Sequence, residues 1–154
     1  MDLSPIVHDY ALPCSPVHAF SVYADRIAAW WHPDYTRDPR TLVGVTIEPR
    51  TGGRVYATHR DTGDDEWGEV LVWEPGRRLV YTSSLAQPPG APSEITVSFT
   101  ATDTGCAVRF AHGGWHAGNA EHRKKFVQWS RILDRYAALA SGARLADEPV
   151  SSRS

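Results

Sequence analysis

The chain has 154 residues, 42% of them hydrophobic and 22% charged, with a net charge of −2 at neutral pH. That size fits one domain able to bury roughly 70% of its unfolded surface, and the composition excludes a disordered chain. A pI near 6.4 excludes the basic footprint of a nucleic-acid-binding protein, and the six tryptophans are the unusual feature, since side chains that large are buried or line sites.

Residues Ile6–Leu12 read as a strand stopped by Pro13. Ser15-Pro16 is a helix start, an N-cap followed by a proline suited to the first turn. Val17, Phe20 and Tyr23 then follow at helical spacing. Asp25 is expected to cap a second short helix over 26–31, ended by His32-Pro33. From Leu42 the period falls to two, with Val43, Val45 and Ile47 alternating with Gly44, Thr46 and Glu48. Strands are expected over 54–60, 67–73, 78–84, around Ile95-Val97-Phe99, and over 106–112. They are separated by turns at 49–53, an acidic turn at 61–65, Glu74-Pro75-Gly76, a proline-rich loop at 87–92, and a turn at 102–105. Six consecutive strands in hairpin order make an antiparallel meander.

Gly113-Gly114 break the last strand. Residues 120–140 read as one long helix, with Phe126, Trp129, Leu133, Tyr136 and Leu139 on its apolar face. Gly142 is its expected C-cap and 143–154 a flexible tail. One domain is therefore expected over 1–142. A seven-stranded antiparallel sheet needs a cover for its apolar face, and the C-terminal helix is the one element long enough to supply it. A curled sheet under that helix leaves a space, the default site for a small apolar molecule.

No stretch approaches the about 20 apolar residues of a membrane span, and residues 1–7 have no leader pattern. The expected location is the cytoplasm. Cys14 and Cys106 form no CxxC motif and read as reduced thiols.

The element order resembles the α+β helix-grip fold of the SRPBCC superfamily, the START and birch-pollen-allergen group. Ile47-Glu48-Pro49-Arg50, Gly52-Gly53-Arg54-Val55-Tyr56, Trp67-Gly68-Glu69-Val70-Leu71, Trp73-Glu74-Pro75 and Arg78-Leu79 narrow the resemblance to one branch. It is the AHSA-type branch, named after the activator of the 90-kDa heat-shock-protein ATPase. Trp30-Trp31-His32-Pro33 and His112-Gly113-Gly114-Trp115 are similar to two further motifs of that branch. Trp129 matches its C-terminal-helix tryptophan, with Gln128 in place of the usual glycine. The resemblance covers about residues 5 to 140. It implies a ligand space between the sheet and the last helix. It also implies that the first and last strands pair, which brings Cys14 and Cys106 within disulfide reach. The chaperone activator carries an additional N-terminal domain for which 154 residues leave no room, so a chaperone partner is not expected.

On this frame Trp129 and one of Trp67 or Trp73 face the interior. Trp31, Tyr35 and Trp115, beside Trp30, rim the entrance, and the glycines before Trp115 let its loop move as a lid. Tyr81, Phe99, Phe110 and Phe126 are further lining candidates, with ordinary core packing the competing reading for every aromatic. His112 shares strand parity with Val108 and Phe110 and is the expected inward polar group; His59 is a second, and Arg109 points away.

His112 and His116 have a helical metal spacing, but the intervening glycines remove its geometric meaning. No metal and no cofactor are expected. There is no GxSxG elbow and no phosphate loop. The expected function is binding of a small hydrophobic or aromatic ligand, with a homodimer left open. The alternatives are a cyclase- or hydrolase-type enzyme on a polyketide-like substrate in the same space, and a co-chaperone-like interaction module.

Overall fold

The structure, a computed structural model, describes residues 3–31, 40–84, 92–118, 123 and 130–142. Its elements run β1 (Ile6–Leu12), α1 (Pro16–Ala24), α2 (Ile27–Trp30), β2 (Leu42–Ile47), β3 (Arg54–His59), β4 (Gly63–Glu74), β5 (Arg78–Ser83), β6 (Ser93–Thr102), β7 (Gly105–Gly113) and α3 (Ser130–Ala140). The strands form one antiparallel sheet in the order β1-β7-β6-β5-β4-β3-β2. The meander is therefore closed by β1 pairing with β7, Leu12 opposite Cys106 and Ile6 opposite His112. This is the helix-grip α+β fold. Of the helix expected over 120–140, residues 120–122 and 124–129 lie outside the described residues, as do the proline-rich segment at 85–91 and the tail at 143–154.

Ser15 caps α1 as its sequence position requires, its hydroxyl accepting the His18 N–H at 3.1 Å. Asp25 does not cap α2. It closes α1, donating its backbone N–H to the Ser21 carbonyl at 2.8 Å and accepting the Ser21 hydroxyl at 3.1 Å. Arg26 precedes α2 with no side-chain cap, and the helix is one turn long.

The acidic turn is also shorter than expected. β4 already starts at Gly63, and Asp64 and Asp65 pair with Thr58 and Ala57. Asp64 accepts the Thr58 hydroxyl at 2.9 Å, and Arg54 reaches Asp64 at 3.8 Å and Glu66 at 3.9 Å. Such cross-strand charge pairs support extended backbone where acidic residues alone favour a turn.

Alternation sends Val55, Ala57 and His59, then Leu79, Tyr81 and Ser83, then Ser93, Ile95, Val97 and Phe99, then Cys106, Val108, Phe110 and His112 to one buried face. Arg109 points to the opposite, exposed face and pairs with Asp9 at 2.9 Å.

The C-terminal helix is not the only cover. α1 packs on β6 and β7, α2 packs on β2, and α3 packs on α1, α2 and β1. Hydrogen bonds fasten α3. The Tyr136 hydroxyl donates to the Ala19 carbonyl at 2.8 Å, Arg135 Nε to the Trp30 carbonyl at 2.8 Å, and the Tyr10 hydroxyl to Asp134 at 3.1 Å.

Candidate functional site

The buried face of the sheet has two different ends. At the end where β7 begins, Phe20 of α1 inserts against Phe99 and Trp73, ring centroids 5.3 and 4.9 Å away. Cys106 and Leu12 lie at this end too. Cys14 and Cys106 are free thiols, and burial raises both, Cys106 to about 11. They lie close, as the strand pairing requires, and are not bridged.

The opposite end is polar. Ser83 and Ser93 are paired across β5 and β6, and His112 lies on β7 opposite Ile95. Ser93 Oγ sits 2.5 Å from His112 Nε2 and 3.3 Å from the Ser83 carbonyl. Burial pushes the His112 imidazole down to about 3, so it is neutral at physiological pH. The Trp115 indole N–H donates to the His112 carbonyl at 2.9 Å, and its ring packs 4.8 Å from the imidazole.

Trp67 joins this row through an irregularity in its strand. Gly68 pairs with Val55 and Glu66 with Tyr56, so Trp67 is an extra residue on β4. A second shift makes Leu71 an extra residue against β5. Inward positions on β4 therefore fall at Trp67 and Val70, with Trp73 packed on Phe20, a step of three instead of two. Strict alternation would have turned Val70 away from Trp67 and Trp73. The Ser84 backbone N–H donates to the Trp67 carbonyl at 2.7 Å, which sets Trp67 beside the end of β5 at Ser83.

An aromatic wall adjoins the polar row. Trp31 packs 5.2 Å from Trp67 and 6.1 Å from Trp30, and Trp30 packs on Tyr23 and Tyr136. The Tyr23 and Tyr81 hydroxyls lie 2.7 Å apart in the interior, and burial holds both phenols above their usual range.

Of the candidate residues, Trp31, Trp67, Tyr81, His112 and Trp115 are gathered here, with Phe110 next to His112 at 6.3 Å. Trp31 and Trp115, expected at the rim, are 3% and 6% exposed. His59 is also inward and buried, its Nδ1 2.8 Å from Thr41 Oγ1. It lies further along β3, at the position facing Gly63. Trp73 and Phe99 belong to the opposite end of the face. Tyr35, Phe126 and Trp129 lie outside the described residues.

Ser83, Ser93 and Tyr23 were not among the candidates. The two serines share parity with Tyr81 and Ile95, a signal present in the sequence.

Among the described residues, the buried polar side chains are His59, Ser83, Ser93 and His112, and no Asp, Glu, Lys or Arg is buried. Among the described residues, His8 Nε2, His59 Nε2, Trp67 Nε1 and Ser83 Oγ are buried polar atoms without a hydrogen-bond partner. No group of three His, Cys, Asp or Glu side chains among the described residues is placed to hold a metal ion. No helix among them is long and apolar enough to cross a membrane.

A seven-stranded curled sheet closed by β1, gripped by helices, with an inward row of neutral polar groups, defines a helix-grip domain of the SRPBCC superfamily. Residues 12–141 match the family model of Activator of Hsp90 ATPase homolog 1-like proteins, and the chain belongs to that family. No curated protein matches the chain.

Solved structures do match. Protein MLL2253 from Mesorhizobium loti is 21% identical with a TM-score of 0.68, the alignment covering 92% of this chain and 99% of that one. The Aha1 dimer from Colwellia psychrerythraea is 15% identical with a TM-score of 0.67, covering 92% and 98%. An anthrahydroquino-γ-pyrone synthase, Txn09, solved in complex with a ligand, is 26% identical with a TM-score of 0.61, covering 90% and 99%.

Proposed function

We propose that the protein binds a small, largely aromatic molecule against the buried face of its sheet, at the end carrying Trp67, Ser83, Ser93 and His112. One observation carries this reading. Trp67 Nε1 and Ser83 Oγ are buried with no partner, Trp67 packed on the Trp31 ring and Ser83 two residues along β5 from Tyr81 on the same buried face. A buried polar atom without a partner costs about 1–3 kcal/mol, so native proteins seldom keep one without a use. Aromatic walls with a few convergent polar groups are the usual construction of a small-molecule site. The reading puts the protein in the cytoplasm, where the unbridged Cys14 and Cys106 stay reduced.

Tryptophan fluorescence tests it, because Trp31 and Trp67 would report the ligand directly. Titration with tricyclic aromatic ketones, flavonoids and fatty acids is expected to give saturable quenching with the aromatic compounds. A flat response to all three classes would sink the reading.

A second reading, an enzyme acting on a polyketide-like substrate, is favoured by the Ser93–His112 hydrogen bond. A neutral buried imidazole bonded to a hydroxyl can move a proton near neutral pH. The 26% identity to the pyrone synthase points the same way. Appearance of a cyclised product from an aromatic poly-β-ketone, followed by mass spectrometry, would separate catalysis from binding alone.

A further inference from the structure

We infer that Trp67 Nε1 and Ser83 Oγ form one recognition pair for a neutral oxygen acceptor, a ring carbonyl or phenol oxygen, on the aromatic ligand. The inference rests on the binding reading and specifies its ligand class. Indole N–H is a donor only, so the atom missing opposite Trp67 must be an acceptor. The serine hydroxyl can donate to the same oxygen or to its neighbour.

The pair is built by the fold. Trp67 faces inward because it is the extra residue of its strand. The Ser84 N–H bond to the Trp67 carbonyl, 2.7 Å long, holds β5 alongside. Adjacent strands lie about 4.8 Å apart, a span that one planar ketone or phenol bridges. Ser93 cannot replace Ser83, since its oxygen is already 2.5 Å from His112 Nε2. Ser83 is 0% and Trp67 3% exposed, so water competes poorly for either group once a ligand is seated.

The ligand oxygen would be uncharged. No Lys or Arg among the described residues is buried to neutralise a carboxylate or phosphate there, and an unpaired buried anion costs several kcal/mol.

9-Fluorenone and fluorene test this, having the same planar shape with and without a carbonyl. By calorimetric titration the ketone is expected to bind about tenfold tighter, the worth of one to two buried hydrogen bonds. Trp67→Phe keeps the ring and loses the donor; Ser83→Ala keeps the fold and loses the hydroxyl. Each is expected to reduce the preference to under about threefold by weakening fluorenone and leaving fluorene unchanged.

Without ligand, Ser83→Ala is expected to melt no lower than wild type, because the hydroxyl it removes has no partner. Equal affinity for the two probes, full preference retained in either variant, or a lower melting point for ligand-free Ser83→Ala would overturn the assignment. Failure of both probes to bind would overturn the assignment, while the binding reading falls only if all three ligand classes leave the tryptophan fluorescence unchanged.

Discussion

His112 is enclosed by rings, with Phe110 and Trp115 beside it and Ser93 as a hydrogen-bond partner of its imidazole. Burial disfavours its charged form and drops its pKa from the usual 6.5 to about 3. Between those values the unfolded chain binds a proton that the folded chain refuses, so stability falls as pH falls through that window. The slope from this one residue is at most about 1.4 kcal/mol per pH unit. Denaturant melts of wild type and His112→Gln from pH 6.5 to 4.5 are expected to diverge, the wild type losing more stability on acidification. Parallel curves would show that the imidazole is not kept neutral by burial. The inward position of His112 was legible from strand parity alone, as was the outward position of Arg109. Its partner Ser93 follows the same parity with Ile95, but a serine beside a proline-rich loop carries no apolar signal to single it out. The tyrosine hydroxyl pair, Tyr23 with Tyr81, joins residues 58 apart in the chain, a contact no local pattern encodes.

At the scale of elements, β4 decides the site. All seven expected strands exist because alternation and turn residues are local signals, and Ser15-Pro16 starts α1 for the same reason. Alternation could not say which of Trp67 and Trp73 faces inward, since strict alternation puts both on one face, with Val70 on the other. The two extra residues, Trp67 and Leu71, bring Trp67 and Val70 to the buried face at a step of three and leave Trp73 packed on Phe20 at the far end.

Gly68 is what permits the first of them. A Cβ there would lie 2.0 Å from the Thr82 carbonyl oxygen and 3.2 Å from the Val55 Cβ, and backbone cannot yield as a flexible side chain can. Gly68→Ala is expected to cost at least about 2 kcal/mol, the scale of overpacking in a filled site. That is roughly a 4–8 °C drop in Tm for a domain of this size. An unchanged Tm by calorimetry would mean that β4 and β5 are not pressed together at the bulge.

At the scale of the whole molecule, the sheet is filled unevenly. One end is packed by Phe20 of α1 with Trp73 and Phe99; the other carries the polar row with Trp115 on His112, and beside it the aromatic wall of Trp30 and Trp31. The helix-grip order and the pairing of β1 with β7 were legible because motifs such as Trp67-Gly68-Glu69 and Trp73-Glu74-Pro75 occur in family order. The distribution of polarity along the strands was not, because it emerges only when Ser83, Ser93 and His112 from three strands come into register.

On the proposed function, this polar end receives a ligand oxygen. The most direct measurement is a proton–nitrogen NMR titration of the tryptophan indole N–H signals with 9-fluorenone, the Trp67 signal being assigned by its absence in Trp67→Phe. A saturable downfield shift of the Trp67 indole proton is expected, with little change at Trp73, at the far end of the sheet. A Trp67 signal that stays in place while fluorenone binds would contradict this placement of the oxygen.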